Sequence, residues 1–233
     1  MPTEPTIIGF TQAVRDEIRR IRTFSAGLGD PDVTPRMTPY GYDPAAGQSG
    51  LILATALEEA AYNMQETFSQ QLAATDDLLQ ALEPTLKPAQ NLSRRLVTLL
   101  GYDSDLLSLL GLHSSRDEDG ESIVSIPTAV DQDGYFTWVQ NLYNRAINHP
   151  EISAALEGKY PANLITEQAA LVASLEDLDI TQTQAIARAQ WATEQRDEAL
   201  QEARQWRSDA YDTAEMALAD EGQLKQFLGM GDR

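Results

Sequence analysis

Leu106-Leu107-Ser108-Leu109-Leu110-Gly111-Leu112 and Leu224-Lys225-Gln226-Phe227-Leu228-Gly229-Met230 carry one pattern, a short apolar helix closed by glycine. They lie 118 residues apart in a chain of 233. A spacing of half the chain points to tandem duplication, and repeats of this kind bury one another's apolar faces. At the same offset Leu53, Leu57 and Glu58 match Leu171, Leu175 and Glu176, while Tyr42 matches Tyr160. Further along, Thr75, Ala81, Leu82 and Leu100 match Thr193, Ala199, Leu200 and Leu218. Upstream, Pro31-Asp32-Val33-Thr34 parallels Pro150-Glu151-Ile152-Ser153, and Phe10-Thr11 parallels Phe136-Thr137.

The segments between these anchors read as helices. Val14, Ile18, Ile21 and Phe24 recur at three- and four-residue steps, predicting a helix over 11–24. The Gly- and Pro-dense stretch 27–44 predicts an irregular connector. From about Gln48 to Ala81 a long helix is expected, with Leu53, Leu57, Ala60, Met64, Phe68, Gln71, Thr75, Leu78 and Leu82 near the heptad period. Gly47-Gln48-Ser49-Gly50 lacks the lysine and preceding strand of a phosphate loop and reads as the N-terminal cap of that helix. Pro84 and Pro88 each remove an amide donor and crowd the preceding turn, so they are expected to break or kink it. A new helix then runs from about Pro88 to Leu100, and Asp103 caps the short closing helix.

The second half differs in one respect. Glu202 and Trp206 stand where the first half has the two prolines, so a helix from about Glu167 continues unbroken to Ala219. At the helical rise this approaches about 80 Å and needs a long partner. Between the halves, Asp117-Glu118-Asp119-Gly120 and Asp131-Gln132-Asp133-Gly134 signal turns around Ser122–Ile126, the best strand in the chain, with Thr6-Ile7-Ile8 as its available partner.

The fold expectation is therefore mainly α: a pseudo-two-fold helical bundle of two tandem repeats, with two long antiparallel helices and at most one short two-stranded β-ribbon. Residues 1–112 form the first repeat, 113–133 an acidic linker with a short strand, and 134–233 the second repeat, packed together as a single domain. A long amphipathic hairpin ending in a short helix with Leu-Gly-Leu, repeated after a His-Pro-Glu-Ile segment, resembles uncharacterised tandem-repeat helical proteins of bacteria. That resemblance implies the fold, carries no activity and transfers no functional residue.

The formal charge is −19 and the chain contains no cysteine. Such an excess of acid repels nucleic acid and anionic membranes, and a cysteine-free chain has no disulfide, thiol nucleophile or thiolate metal site. No apolar run reaches the roughly 18 residues of a membrane span, and Met1–Phe10 lacks the pattern of an export signal. The expectation is a soluble protein, cytoplasmic or secreted after signal removal, with no stable membrane insertion.

Little catalytic chemistry is encoded. The two histidines, His113 and His149, sit in no E-x-x-H or H-E-x-x-H frame, and there is no G-x-S-x-G elbow. Calcium is the one candidate ion, with Asp117, Asp119, Asp131 and Asp133 as weak candidate ligands in the acidic turns. The EF-hand registers anchored on Gly120 and Gly134 both fail, placing Ser115 and Ile126, or Ala129 and Gln140, at the first and last ligand positions.

Tyr135, Phe136, Trp138, Leu142 and Tyr143 form an apolar helical stripe that reads first as core. Trp138, Trp191 and Trp206 are interface candidates, since tryptophan is enriched in binding hot spots. The functional expectation is a non-enzymatic structural or self-assembly protein, homo-oligomeric, using its long amphipathic helices as contact surfaces. The alternative is a small-ligand or calcium-binding helical protein with a site between the repeats or in the acidic linker.

Overall fold

Thr11 opens the first helix: its side chain accepts the Val14 amide at 3.3 Å and starts α1, Gln12–Gly27. The computed structural model describes residues 10–102, 104–116, 122–125 and 132–230. Along these the chain is mainly α-helical. After α1 come α2 (Thr34–Met37), a 3-10 turn (Thr38–Tyr40), α3 (Pro44–Leu100) and α4 (Asp105–Leu109). Strands β1 (His113–Arg116) and β2 (Ser122–Ser125) precede α5 (Gln132–Asn148), α6 (Pro150–Leu156), α7 (Ala162–Ala217) and α8 (Gly222–Phe227). The strands pair antiparallel, His113 opposite Ser125 and Arg116 opposite Ser122. Thr6–Ile8, the partner expected for β2, lies outside the described residues.

The sequence misplaces several helix boundaries. The connector at 27–44 contains α2 and the 3-10 turn. Asp43 begins α3, its carboxylate accepting the Ala46 amide at 2.9 Å, so Gly47 and Gly50 lie inside the helix instead of capping it. Ser104 caps α4, with its hydroxyl 3.3 Å from the Leu106 amide, and Asp103 lies outside the described residues.

The largest correction concerns the prolines. Helix α3 runs unbroken for 57 residues with Pro84 and Pro88 inside it. Pro84 and the residue whose carbonyl it leaves unbonded, Gln80, are both exposed, so that lost bond falls on the outer side, where water replaces it. On the inner side Leu78, Leu82, Thr85, Ala89, Leu92 and Leu96 are buried at alternating four- and three-residue steps. Burying a leucine contributes about 1.5–3 kcal/mol. Four of them in one register outweigh an interior-proline cost of about 3 kcal/mol each, and a break would rotate Leu92 and Leu96 out of line.

The chain divides into two compact units that cut across its sequence halves. One unit takes residues through Leu72 together with Gln184 onward, and the other takes Ala73–Thr183. Each long helix therefore contributes one part to each unit.

In the first unit, Val14, Ile18 and Ile21 of α1 meet Ala54, Leu57 and Ala61 of α3 and Ala203 of α7. Ala54 and Ala61 take the places the heptad reading gave to Leu53 and Ala60, which are only half-buried. A second cluster joins Phe24, Leu28, Val33 and Met37 to Ala210, Ala214, Leu218 and Leu228. Trp206 lies edge-on to Phe24 and Tyr42, with ring centroids at 5.9 and 6.3 Å. Its ring fills the space over Gly50, where a Cβ would stand 2.4 Å from the indole. Buried Glu17, 3% exposed, accepts the Arg207 Nε–H at 2.5 Å, and the guanidinium lies 5.2 Å from the Tyr211 ring centroid. Removing one member of such a pair leaves an uncompensated charge in the core.

The second unit has larger core side chains. Leu78 through Val97 of α3 pack with Leu107, Leu110 and Leu112, with Tyr135, Phe136, Trp138, Val139, Leu142 and Tyr143 of α5, and with Val172 and Leu175 of α7. Thr85 sits fully buried between the prolines, donating to the Leu82 carbonyl at 2.7 Å and lying 3.3 Å from the Tyr135 hydroxyl.

Both Leu-Gly endings adopt one hydrogen-bonding pattern. Leu112 N–H donates to Leu107 and Gly111 N–H to Ser108, as Met230 does to Lys225 and Gly229 to Gln226, all at 2.9–3.1 Å. Gly111 and Gly229 have φ of +68° and +71°, the left-handed conformation that this six-residue helix closure requires.

Gly50→Ala is expected to lower the melting temperature by roughly 2–10 °C, the cost of about 1–3 kcal/mol for overpacking a fitted core in a chain of this size. Adding Trp206→Leu should recover part of the loss. Calorimetry of the single and double variants checks this, and a Gly50→Ala protein as stable as the parent would contradict the packing.

Candidate functional site

Helix α5 turns two kinds of side chain in different directions. Its apolar stripe, Tyr135, Phe136, Trp138, Leu142 and Tyr143, is buried throughout. Its amide-bearing residues Gln140, Asn141, Asn144 and Asn148 border a groove against α7, where Ala169, Val172, Ala173 and Glu176 complete the lining around about 360 Å³. Asn148 donates to the Asn144 side-chain oxygen at 2.6 Å, tying two of the amides together.

Tyr143 also lines this groove, although the residue is only 2% exposed, and its buried hydroxyl has no hydrogen-bond partner among the described residues. Burial, reinforced by the nearby phenols of Tyr160 and Tyr135, holds its pKa far above the usual tyrosine value. The group therefore stays protonated across the physiological range. It can donate or accept a hydrogen bond, but it supplies no phenolate base. Burial also raises the Tyr135 pKa, and the hydrogen bond with Thr85 acts against that rise. Among the described residues that line the groove, Glu176 alone carries a charge, so its chemistry suits neutral or cationic molecules rich in hydrogen-bonding groups.

The three tryptophans separate. Trp138 is 7% exposed and donates its indole N–H to the Leu110 carbonyl at 2.9 Å, which commits it to the core. Trp206 is half-buried in the Phe24 and Tyr42 cluster. Trp191 is 59% exposed on the outer side of α7, beside the buried row Ala185, Ala189 and Ala192. Asp117, Asp119 and Asp131 lie outside the described residues; Asp133 belongs to the first turn of α5, and its side chain is outside them too. Among the described residues no three histidine, aspartate or glutamate side chains gather as a metal site. His113 stands exposed on β1, and His149 precedes Pro150 at the start of α6, its buried Nδ1 without a partner among the described residues.

Sequence reasoning missed the groove, because its walls come from helices with no shared motif. The signal was the run of amides on the polar side of the α5 stripe. The tyrosine pair predicts opposite responses to loss of a hydroxyl. Tyr143→Phe should leave stability unchanged or raise it, since an unpaired buried hydroxyl is removed, whereas Tyr135→Phe should cost about 0.5–1.5 kcal/mol. Urea unfolding of both variants measures the difference, and a larger loss at Tyr143 would mean that its hydroxyl has a partner.

No family model matches the chain, and no curated protein or solved structure matches it significantly.

Proposed function

We propose that this is a non-catalytic structural or self-assembly protein: a homo-oligomer built from two tandem helical repeats, whose long helices pack antiparallel and offer their outer faces as contact surfaces. The order of elements supports the duplication, because helices of 16, about 7, 57 and 5 residues are followed by helices of 17, 7, 56 and 6 (the second value joins α2 to the 3-10 turn), and both series end in the same glycine closure. In each unit the two long helices touch, Gly50 of α3 against Trp206 of α7 in the first and Gln182 of α7 donating to Thr75 of α3 at 3.3 Å in the second, which suits the pairing of α3 with α7 that the proposal needs.

One observation carries the assembly reading. Both long helices present large apolar side chains to solvent: Ile52, Tyr62, Leu72 and Leu79 on α3, and Leu164, Ile180, Trp191 and Met216 on α7, each at least 40% exposed. Scattered apolar side chains are ordinary on any surface, but within the first unit alone Ile52, Tyr62, Leu72, Trp191 and Met216 leave large apolar side chains of both long helices open to a partner. At −19 per chain, copies repel one another, so added salt should favour assembly by screening. Sedimentation velocity over a range of protein and salt concentrations should resolve species larger than the monomer, growing with both. A single monomer boundary throughout, with and without calcium, overturns the proposal.

The groove at Tyr143 favours a second reading, a small-ligand-binding helical protein, because the side-chain amides of Gln140, Asn141, Asn144 and Asn148 border one concave surface that Tyr143 helps to line. Saturation-transfer NMR with a mixture of neutral polyols, amides and nucleosides tests it. Signal transfer that Tyr143→Phe weakens supports this reading, and no transfer from any component rejects it.

A further inference from the structure

A second cleft lies beside α5, where that helix meets the end of α4. It encloses about 550 Å³ within the second unit, a size that suits a small molecule. Leu109, 40% exposed, Leu110 and the bare backbone of Gly111 line it together with Trp138, whose indole N–H is committed to the Leu110 carbonyl. The α5 wall adds three polar residues, Thr137, Asn141 and Arg145. They follow at four-residue steps, advance only about 40° around the helix at each, and so form one row about 12 Å long. Among the described residues none of the three side chains has a hydrogen-bond or ion-pair partner. No aspartate or glutamate is among the described residues that line the cleft, in a chain with 36 of them.

We infer that this cleft binds a small amphiphilic carboxylate, its apolar body against Leu109 and Trp138 and its carboxylate on Arg145. This goes beyond the self-assembly reading and is independent of the groove at Tyr143, with which the cleft shares only Asn141. A guanidinium holds its N–H donors in one plane and takes a carboxylate through two parallel hydrogen bonds. Arg145 is half-buried beside apolar walls, where a charge pair is screened less than on an open surface. Asn141, one turn before it, has a free amide for the same carboxylate or for a polar group on the body.

The two halves of the cleft select the ligand class together. A neutral apolar molecule gains nothing from Arg145, and a bare anion gains nothing from Leu109 and Trp138. A cation is repelled by the one charge the cleft carries. The chain as a whole repels anions at −19, so the affinity is modest, with Kd on the order of 1 mM for a ligand of about ten heavy atoms.

NMR of the full chain tests the site through its three indole N–H signals, of which Trp138 alone lines the cleft. Phenylpropionate, titrated to about 20 mM so as to pass the expected Kd, should shift the Trp138 signal and leave Trp191 and Trp206 in place. The neutral phenylpropanamide and acetate should each bind at least tenfold more weakly. Arg145→Gln and Leu109→Asp should each weaken phenylpropionate binding roughly tenfold or more, while Arg145→Lys, which keeps the charge, retains more of it than Arg145→Gln. Retained dispersion of the remaining amide signals shows that the variants are folded. An unmoved Trp138 signal overturns the site. So does binding that Arg145→Gln leaves unchanged, or an affinity that phenylpropanamide or acetate matches. None of these outcomes touches the assembly reading, which sedimentation decides separately.

Discussion

Everything in the second unit depends on one row of buried side chains along α3. Leu78, Leu82, Thr85, Ala89, Leu92 and Leu96 alternate steps of four and three residues, the period at which a helix keeps one face against a long partner. That row explains why a helix with two internal prolines does not break. Pro84 and the residue whose carbonyl it leaves unbonded are exposed, away from the seam, while Pro88 is half-buried at its edge, and a change of direction would move the following leucines out of it. Thr85 bonds the Leu82 carbonyl within the same turn, so the buried side of the proline-bearing segment keeps its hydrogen bonding. The Tyr135 hydroxyl then joins Thr85 to α5.

The two units solve close packing differently. In the first, α7 presents Ala203, Ala210 and Ala214 to the core, and α3 presents Ala54, Ala61 and the bare backbone of Gly50. Small residues let the helices approach, and the aromatic cluster of Phe24, Tyr42, Trp206 and Tyr211 fills what remains. The second unit is filled by leucines and the aromatic stripe of α5. Its aromatic–glycine contact is at Gly111, where a Cβ would meet the Trp138 indole at 2.8 Å. Glycine serves two purposes at that position, the left-handed closure of α4 and the space for an indole. At Gly50 it serves only the second, within an otherwise regular helix.

These differences carry into the surfaces. The alanine row of α7 faces inward, which leaves Trp191 with polar neighbours on the outer side. The α5 stripe is wide enough to bury five aromatic or leucine side chains, so its amides are turned to the groove edge. Tyr143 belongs to both settings, its ring in the core and its residue at the groove, and desolvation keeps its hydroxyl protonated. Buried hydroxyls without partners are uncommon because the lost hydration is not replaced, and among the described residues Tyr143 and Ser25 each carry one.

Much of the architecture was legible in the residues themselves. Mainly helical character, the extent of α1 and α7, the strand at Ser122–Ser125 and the glycine closures follow from local physics: apolar spacing, capping side chains and the left-handed freedom of glycine. Local rules do not say which of two adjacent residues faces inward. Leu53 and Ala54 differ by about 100° around a helix, and the fit against Val14, Ile18, Ile21 and Ala203, not hydrophobicity, chooses Ala54. Nor do they decide what a proline does, because its cost is local while the compensating burial comes from side chains distant in sequence. The burial of Trp138, the exposure of Trp191 and the solitary hydroxyl of Tyr143 were likewise decided by tertiary structure. Composition makes all three aromatics suitable for core or surface, and only the helices packed against them determine which of their atoms lose water.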